Sequence, residues 1–187
     1  MLACVVAVVA YCFMARGLLA GDSEQNFTTW ILWGVLDGIA AATIFFQSGS
    51  WAIPAVYAVG STATAFLILK SGTVSWTWFD TMIICMVVAC MVIWKVSGAR
   101  TATIASTVAV TIAGIPQLVE TWKKPEGSPF PVYLMFVVGN SLATAGAKSW
   151  SVEERLYPAV CIALTTAYLL AMSRKFLPSH QKAANAL

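Results

Sequence analysis

One carboxylate interrupts an otherwise apolar run: Asp37 falls near the middle of residues 30–47. On translocon scales an aspartate at the centre of a membrane helix costs about 2.5–3.5 kcal/mol, so such a residue faces a bundle interior, a cavity or a partner. Trp33 and Trp30 precede it by four and seven positions, on the same helical face. The pattern returns with Asn140, Phe136 and Tyr133, which fall on Asp37, Trp33 and Trp30 when the chain is slid by 103 residues. Each copy offers a polar group beside an aromatic platform. A sugar ring packs well on such a platform while its hydroxyls bond the carboxylate and the amide. Asp37 is also able to bind and release a proton. The same residues are equally the kind that tie helices together through interhelical hydrogen bonds. Asp37, Trp33, Asn140 and Phe136 are therefore the candidate substrate-binding residues.

The elements that position them are membrane helices. Of the 187 residues, 59% are hydrophobic and 10% charged, against about 25% charged in an average soluble domain. That leaves too little polar surface for a water-soluble globule of this size, whereas a bilayer tolerates an apolar exterior. Seven stretches approach the roughly 20 apolar residues a span requires: 1–19, 30–47, 51–69, 79–96, 101–119, 132–148 and 156–173. Short polar connections separate them, so neighbours should run antiparallel. No alternating strands of the membrane-barrel kind occur. The first stretch lacks a basic start and leads into further spans, so it reads as a retained helix.

The repeat extends beyond the polar pair. At an offset of 103 Phe27 falls on Phe130, and at 104 Pro54-Ala55-Val56 falls on Pro158-Ala159-Val160. The expected fold is all-α, with seven transmembrane helices arranged as two parallel three-helix units joined by a linker helix. The units are residues 1–72 and 99–175, the linker is 73–98, and 176–187 form a polar tail. A three-span unit ends opposite its start, so one extra span restores the second copy to the orientation of the first. Parallel repeats of this kind are a transporter architecture. With seven spans, Arg16, Lys70, Lys123, Lys124, Arg174, Lys175 and Lys182 share the side of the C-terminus, against Lys95, Arg100, Lys148 and Arg155 opposite. The bias predicts an outside N-terminus and a cytoplasmic C-terminus. Trp30, Trp51, Trp76, Trp78, Trp122 and Trp150 fall near span ends, as an interfacial belt would place them.

Pro116-Gln117 lies inside the fifth span. A proline there leaves a carbonyl without its helical partner, and the helix either bends as a hinge or holds a static kink. Ser61, Thr62, Thr165 and Thr166 are further candidates for a cavity wall, although hydroxyls in membrane helices often bond their own preceding turn. Asp80, near a span end, reads as an interfacial or capping residue. The sequon Asn26-Phe27-Thr28 would sit on the cytoplasmic side, unused.

Other chemistries find little support. Cys4, Cys12, Cys85, Cys90 and Cys161 match no zinc spacing and read as small apolar packing residues. The single histidine, His180, lies in the tail. No metal site, cofactor, nucleophile–base pair or paired intramembrane carboxylates stand out, and no enzyme is expected. A net charge of +3, dispersed along the chain, does not suggest nucleic acid. The last span holds no lysine for a retinal Schiff base.

The run Gly114-Ile115-Pro116-Gln117-Leu118, followed by Trp122-Lys123-Lys124, Glu126-Gly127, Gly139-Asn140 and Ala143 to Gly146, resembles a PQ-loop motif. The PQ-loop superfamily includes SWEET and SemiSWEET sugar carriers, cystinosin-like amino-acid exporters and the KDEL receptor. The resemblance covers residues 13–69 and 114–173 and is strong in the second unit. It implies a three-plus-one-plus-three fold and a carrier of a small polar solute, a sugar or amino-acid derivative, with Pro116 and Gln117 as hinge or gate. The first unit carries Phe13-Met14 in place of Pro-Gln, and the third helix of each unit offers serine and threonine where SWEET carriers present asparagine. Besides solute and bilayer, a homo-oligomer or a larger membrane complex stays open as partner. A non-transporting receptor or accessory subunit is the alternative.

Overall fold

The structure is a computed structural model that describes residues 1–23, 25–70 and 78–176, apart from the side chains of Phe79, Asp80, Ile83, Val87, Cys90 and Met91. The expectations for Asp80, Cys90, Trp76, His180 and Lys182 lie outside the described residues. Among the described residues the regular structure is entirely helical. The helices are α1 (Leu2–Ala20), α2 (Phe27–Phe46), α3 (Ala52–Lys70), α4 (Trp78–Ser97), α5 (Ala99–Ala113), α6 (Ile115–Lys123), α7 (Phe130–Ala145) and α8 (Val152–Ser173).

Five segments among the described residues are long and apolar enough to cross a membrane: Leu2–Ala20, Phe27–Phe46, Ala52–Lys70, Ala99–Lys123 and Val152–Phe176. The fourth joins α5 and α6 across a break at Gly114. Helix α7 has 16 residues, a rise of about 24 Å at 1.5 Å per residue. The burial pattern fits the same reading. Val59, Phe66, Val88, Val92, Val108 and Leu170 are exposed, while Thr29, Asp37, Ser61, Thr103, Ser106, Thr107, Gln117, Thr121 and Asn140 are buried. An apolar exterior over a polar interior suits a multi-pass membrane protein, whose inward hydroxyls and amides must find partners within the bundle.

Contacts between helices close a ring: α1 packs on α3, α3 on α2, α2 on α5, α5 on α8, α8 on α7, and α7 on α1. Helix α4 lies outside it, against α5 and α2. Glycines set the closest approaches. A Cβ on Gly60 of α3 would fall within the ring of Tyr11 on α1, and one on Gly34 of α2 would meet Thr62 of α3. These are the small-residue contacts through which membrane helices pack.

Local chemistry fixes the helix ends. Gly21 closes α1 in the left-handed conformation, with φ 77°. Asn26 caps α2, its side chain accepting the Thr29 N–H at 2.9 Å and donating to Glu120 Oε1 of α6 at 3.1 Å. The sequon asparagine is thus a helix cap tied to a neighbouring helix. Asn26→Ala is expected to lose about 1 kcal/mol of stability, read as a lower melting temperature in detergent. An unchanged melting temperature would mean the cap contributes nothing.

Candidate functional site

Near the centre of the ring α2, α3, α7 and α8 bring polar side chains together in crossed pairs. Tyr157 of α8 donates its hydroxyl to Asp37 Oδ1 of α2 at 2.7 Å. Asn140 of α7 donates from Nδ2 to the Tyr57 hydroxyl of α3 at 2.6 Å and to the Phe136 carbonyl at 2.8 Å. Asn140 Oδ1 is buried without a hydrogen-bond partner. The two tyrosines face one another with ring centroids 6.3 Å apart.

Around these pairs lies a cavity of about 30 Å³, lined by Asp37 and Cys161 and by the rings of Tyr11, Trp30, Trp33, Tyr57, Tyr133, Phe136 and Tyr157. A cavity of that size is room for about one water. The rings interlock edge to face: Tyr11 lies 6.1 Å from Trp30 and 5.9 Å from Tyr57, and Trp30 lies 5.1 Å from Trp33. Tyr11 donates to the Tyr57 carbonyl at 3.3 Å and shares a 2.9 Å hydrogen bond with Ser61.

Of the four candidate binding residues, Asp37, Trp33 and Phe136 line this cavity, and Asn140 stands one hydrogen bond behind it through Tyr57. Ser61 and Thr165 also line it, whereas Thr62 bonds the Ala58 carbonyl of its own preceding turn at 2.7 Å. The three tyrosines 11, 57 and 157 were not legible from spacing. A weak signal existed in Tyr57 and Tyr157, each close to the proline of its own helix.

A larger space, about 670 Å³, opens at one end of the ring. It is lined by the end of α1, the start of α2, the end of α3 and α6, with Asn26, Gln117, Glu120, Lys123 and Lys124 among its polar side chains. Gln25 lies between residues of the two spaces. Trp30 Nε1 and the Tyr133 hydroxyl both donate to Gln25 Oε1 at 3.1 Å, so one amide oxygen bridges α2 and α7 above the aromatic box. Gln25 itself lines the larger space.

The opposite end is closed by two loops. Ser50, between α2 and α3, donates its hydroxyl to Glu154 Oε2 at 2.7 Å, and the same oxygen accepts the Lys148 N–H at 3.2 Å. A Cβ on Gly49 would lie 2.9 Å from the Glu153 carbonyl, so only glycine fits between the loops. Glu153 also lies 3.5 Å from Arg100 at the start of α5.

The break between α5 and α6 centres on Gly114, two residues before Pro116. Tyr168 donates to the Gly114 carbonyl at 2.6 Å, and Trp33 Nε1 donates to the Val110 carbonyl at 2.9 Å. Proline at the second position of α6 has no N–H to offer the preceding turn; the two side chains bond carbonyls that also accept helical N–H groups, Leu118 on Gly114 and Gly114 on Val110, and so brace the break. Gln117 sits elsewhere than in the break: its Oε1 accepts the Asn26 backbone N–H at 2.8 Å. It therefore fastens α6 to the residue beside Gln25.

Comparison of the chain with protein-family models, with curated proteins and with solved structures returned no match.

Proposed function

We propose that this chain is a seven-helix carrier of the PQ-loop or SWEET-like type, moving a small polar solute across a membrane by alternating access. The observation that supports this most is the crossed pairing of Asp37 with Tyr157 and Asn140 with Tyr57 beside a small central cavity. In this reading α1–α3 form one unit, α5–α8 the other with α5 and α6 as a single broken span, and α4 the linker. In both units the first helix packs on the third and the third on the second. Each unit contributes a polar residue from its second helix and a tyrosine from its third. The tyrosine of each serves the partner unit, so solute contacts and unit contacts compete for the same groups.

Two doors bound the pocket. Gln25 with Trp30 and Tyr133 forms the one toward the larger space of about 670 Å³, here a vestibule on the side assigned to the cytoplasm by the Lys/Arg bias. Ser50 with Glu154 forms the other. Bending at Gly114–Pro116 shifts α6, and Gln117 carries that shift to Asn26 and so to Gln25. Hinge and door then move as one.

Cys161 lines the pocket and provides the test. With Cys4, Cys12, Cys85 and Cys90 replaced by alanine, a small impermeant thiol reagent should label Cys161 slowly. Gln25→Ala should speed labelling roughly ten-fold, as expected when about 1.4 kcal/mol of closing interaction is lost, and from the vestibule side alone. Glu154→Ala, which removes the acceptor of Ser50 and Lys148, should speed it from the other side. Equal labelling from both sides, or none in any variant, would leave the receptor or subunit reading instead.

A further inference from the structure

The electrical character of the pocket narrows the solute. Among the described residues Asp37 is the only Asp, Glu, Lys or Arg side chain in the cavity wall, and it is 2% exposed. No lysine or arginine among the described residues lines that cavity. Its partner Tyr157 is a neutral hydroxyl. The same wall carries seven aromatic rings, and an aromatic face turned toward a cavity attracts a cation and repels an anion. The Asn140 amide oxygen beside the pocket has no partner, so spare hydrogen-bonding capacity there accepts rather than donates. In the closed state ring edges, which are positive, rest on neighbouring ring faces at 5.1–6.1 Å between Tyr11, Trp30 and Trp33. An entering cation takes over the role those edges play.

One carboxylate lies toward each end of the pocket, with two lysines beside it at the vestibule. Glu120 lines the vestibule and bonds Asn26 beside the Gln25 door. Glu154 holds the opposite door. Lys123 and Lys124 line the vestibule too, and both are exposed.

We infer that the pocket, once its rings part to widen the present space of about 30 Å³, takes a small organic ammonium ion, bound by the Asp37 carboxylate among Tyr11, Trp30, Trp33, Tyr57 and Phe136. This rests on the carrier reading and gives that carrier its substrate class. A sugar, which presents only neutral hydroxyls, leaves the carboxylate without a countercharge; an ammonium ion supplies it.

The experiment measures the melting temperature of the purified full chain against methylammonium, ethanolammonium and choline. The uncharged shape-mate of choline, 3,3-dimethyl-1-butanol, and sorbitol serve as comparators. The expected result is a saturable rise with at least one ammonium ion, half-complete at a concentration about ten-fold or more below that of any comparator, equivalent to the tenfold step in affinity. Asp37→Asn should weaken that ion about ten-fold or more while leaving the melting temperature of the solute-free protein near wild type. If a comparator stabilises as well as every ammonium ion, or Asp37→Asn binds the ion undiminished, the ammonium assignment is overturned and the carrier reading stands. If no solute of any class stabilises the protein, the carrier reading is overturned and the assignment goes with it. Should Asp37→Asn fail to fold, the wild-type comparison of choline with its uncharged shape-mate still decides.

Discussion

Asp37→Asn is expected to reduce tracer uptake into liposomes by roughly 100-fold, about 2.7 kcal/mol, for the solute that stabilises the protein most. The substitution conserves shape, and an asparagine oxygen still accepts the Tyr157 hydroxyl that bonds Asp37 at 2.7 Å. What disappears is the one group able to carry a charge, in a pocket that holds no other Lys, Arg, Asp or Glu side chain among the described residues. Tyr157→Phe removes the positioning hydroxyl and keeps the charge, and its loss should be smaller, about ten-fold. The order of the two variants separates the roles. If both lose uptake equally, Asp37 acts as a helix tie; if Asp37→Asn transports normally, it has no part in the mechanism.

The largest effect on stability is expected at Gly60. A side chain there would overlap the Tyr11 ring, and Tyr11 has nowhere to go. Its hydroxyl shares a bond with Ser61 at 2.9 Å, and its ring lies 5.1 Å from Phe136 and 5.9 Å from Tyr57. Gly60→Leu must therefore push α1 off α3. Overpacking costs about 1–3 kcal/mol, and losing the Tyr11 hydrogen bonds adds about 1–2 kcal/mol, so a total of roughly 3 kcal/mol is expected from the two. Gly38 supplies the contrast: the nearest atom to its virtual Cβ is Ala58 Cβ at 4.0 Å. Gly38→Ala should shift stability by no more than about 1 kcal/mol, the difference in helix propensity. Thermal unfolding in detergent reads both, and equal melting temperatures for the two variants would contradict the packing described at α1 and α3.

Hydropathy located the helices and misjudged mainly their first turns. The reading 30–47 became Phe27–Phe46, and 156–173 became Val152–Ser173. Those first turns carry Thr28 and Thr29, or Glu153 and Glu154, which hydropathy discards and which a helix N-terminus favours. In the fifth span the proline signalled an interruption, yet the break falls at Gly114, where Tyr168 and Trp33 hold the backbone.

The polar pair Asp37 and Asn140 stood out because polarity within an apolar run is costly. Their partners did not. A lone tyrosine in a membrane helix carries no period and no penalty, and Tyr157 is 120 residues from the carboxylate it bonds. The repeat itself obscured the match, since an offset of 104 sets Tyr57 on Cys161 rather than on Tyr157. Gln25 and Glu154 were hidden for another reason: short polar connections read as tethers, and only the packing of loops against one another turns them into closures.

The central void of about 30 Å³ has one more implication. A proton crosses a protein quickly along a file of several waters, and an inorganic ion drags part of its hydration shell with it. A space for about one water supports neither. In the carrier reading the edge-to-face rings must therefore part before anything larger than a water can enter, and the work of separating them becomes part of the cost of every passage.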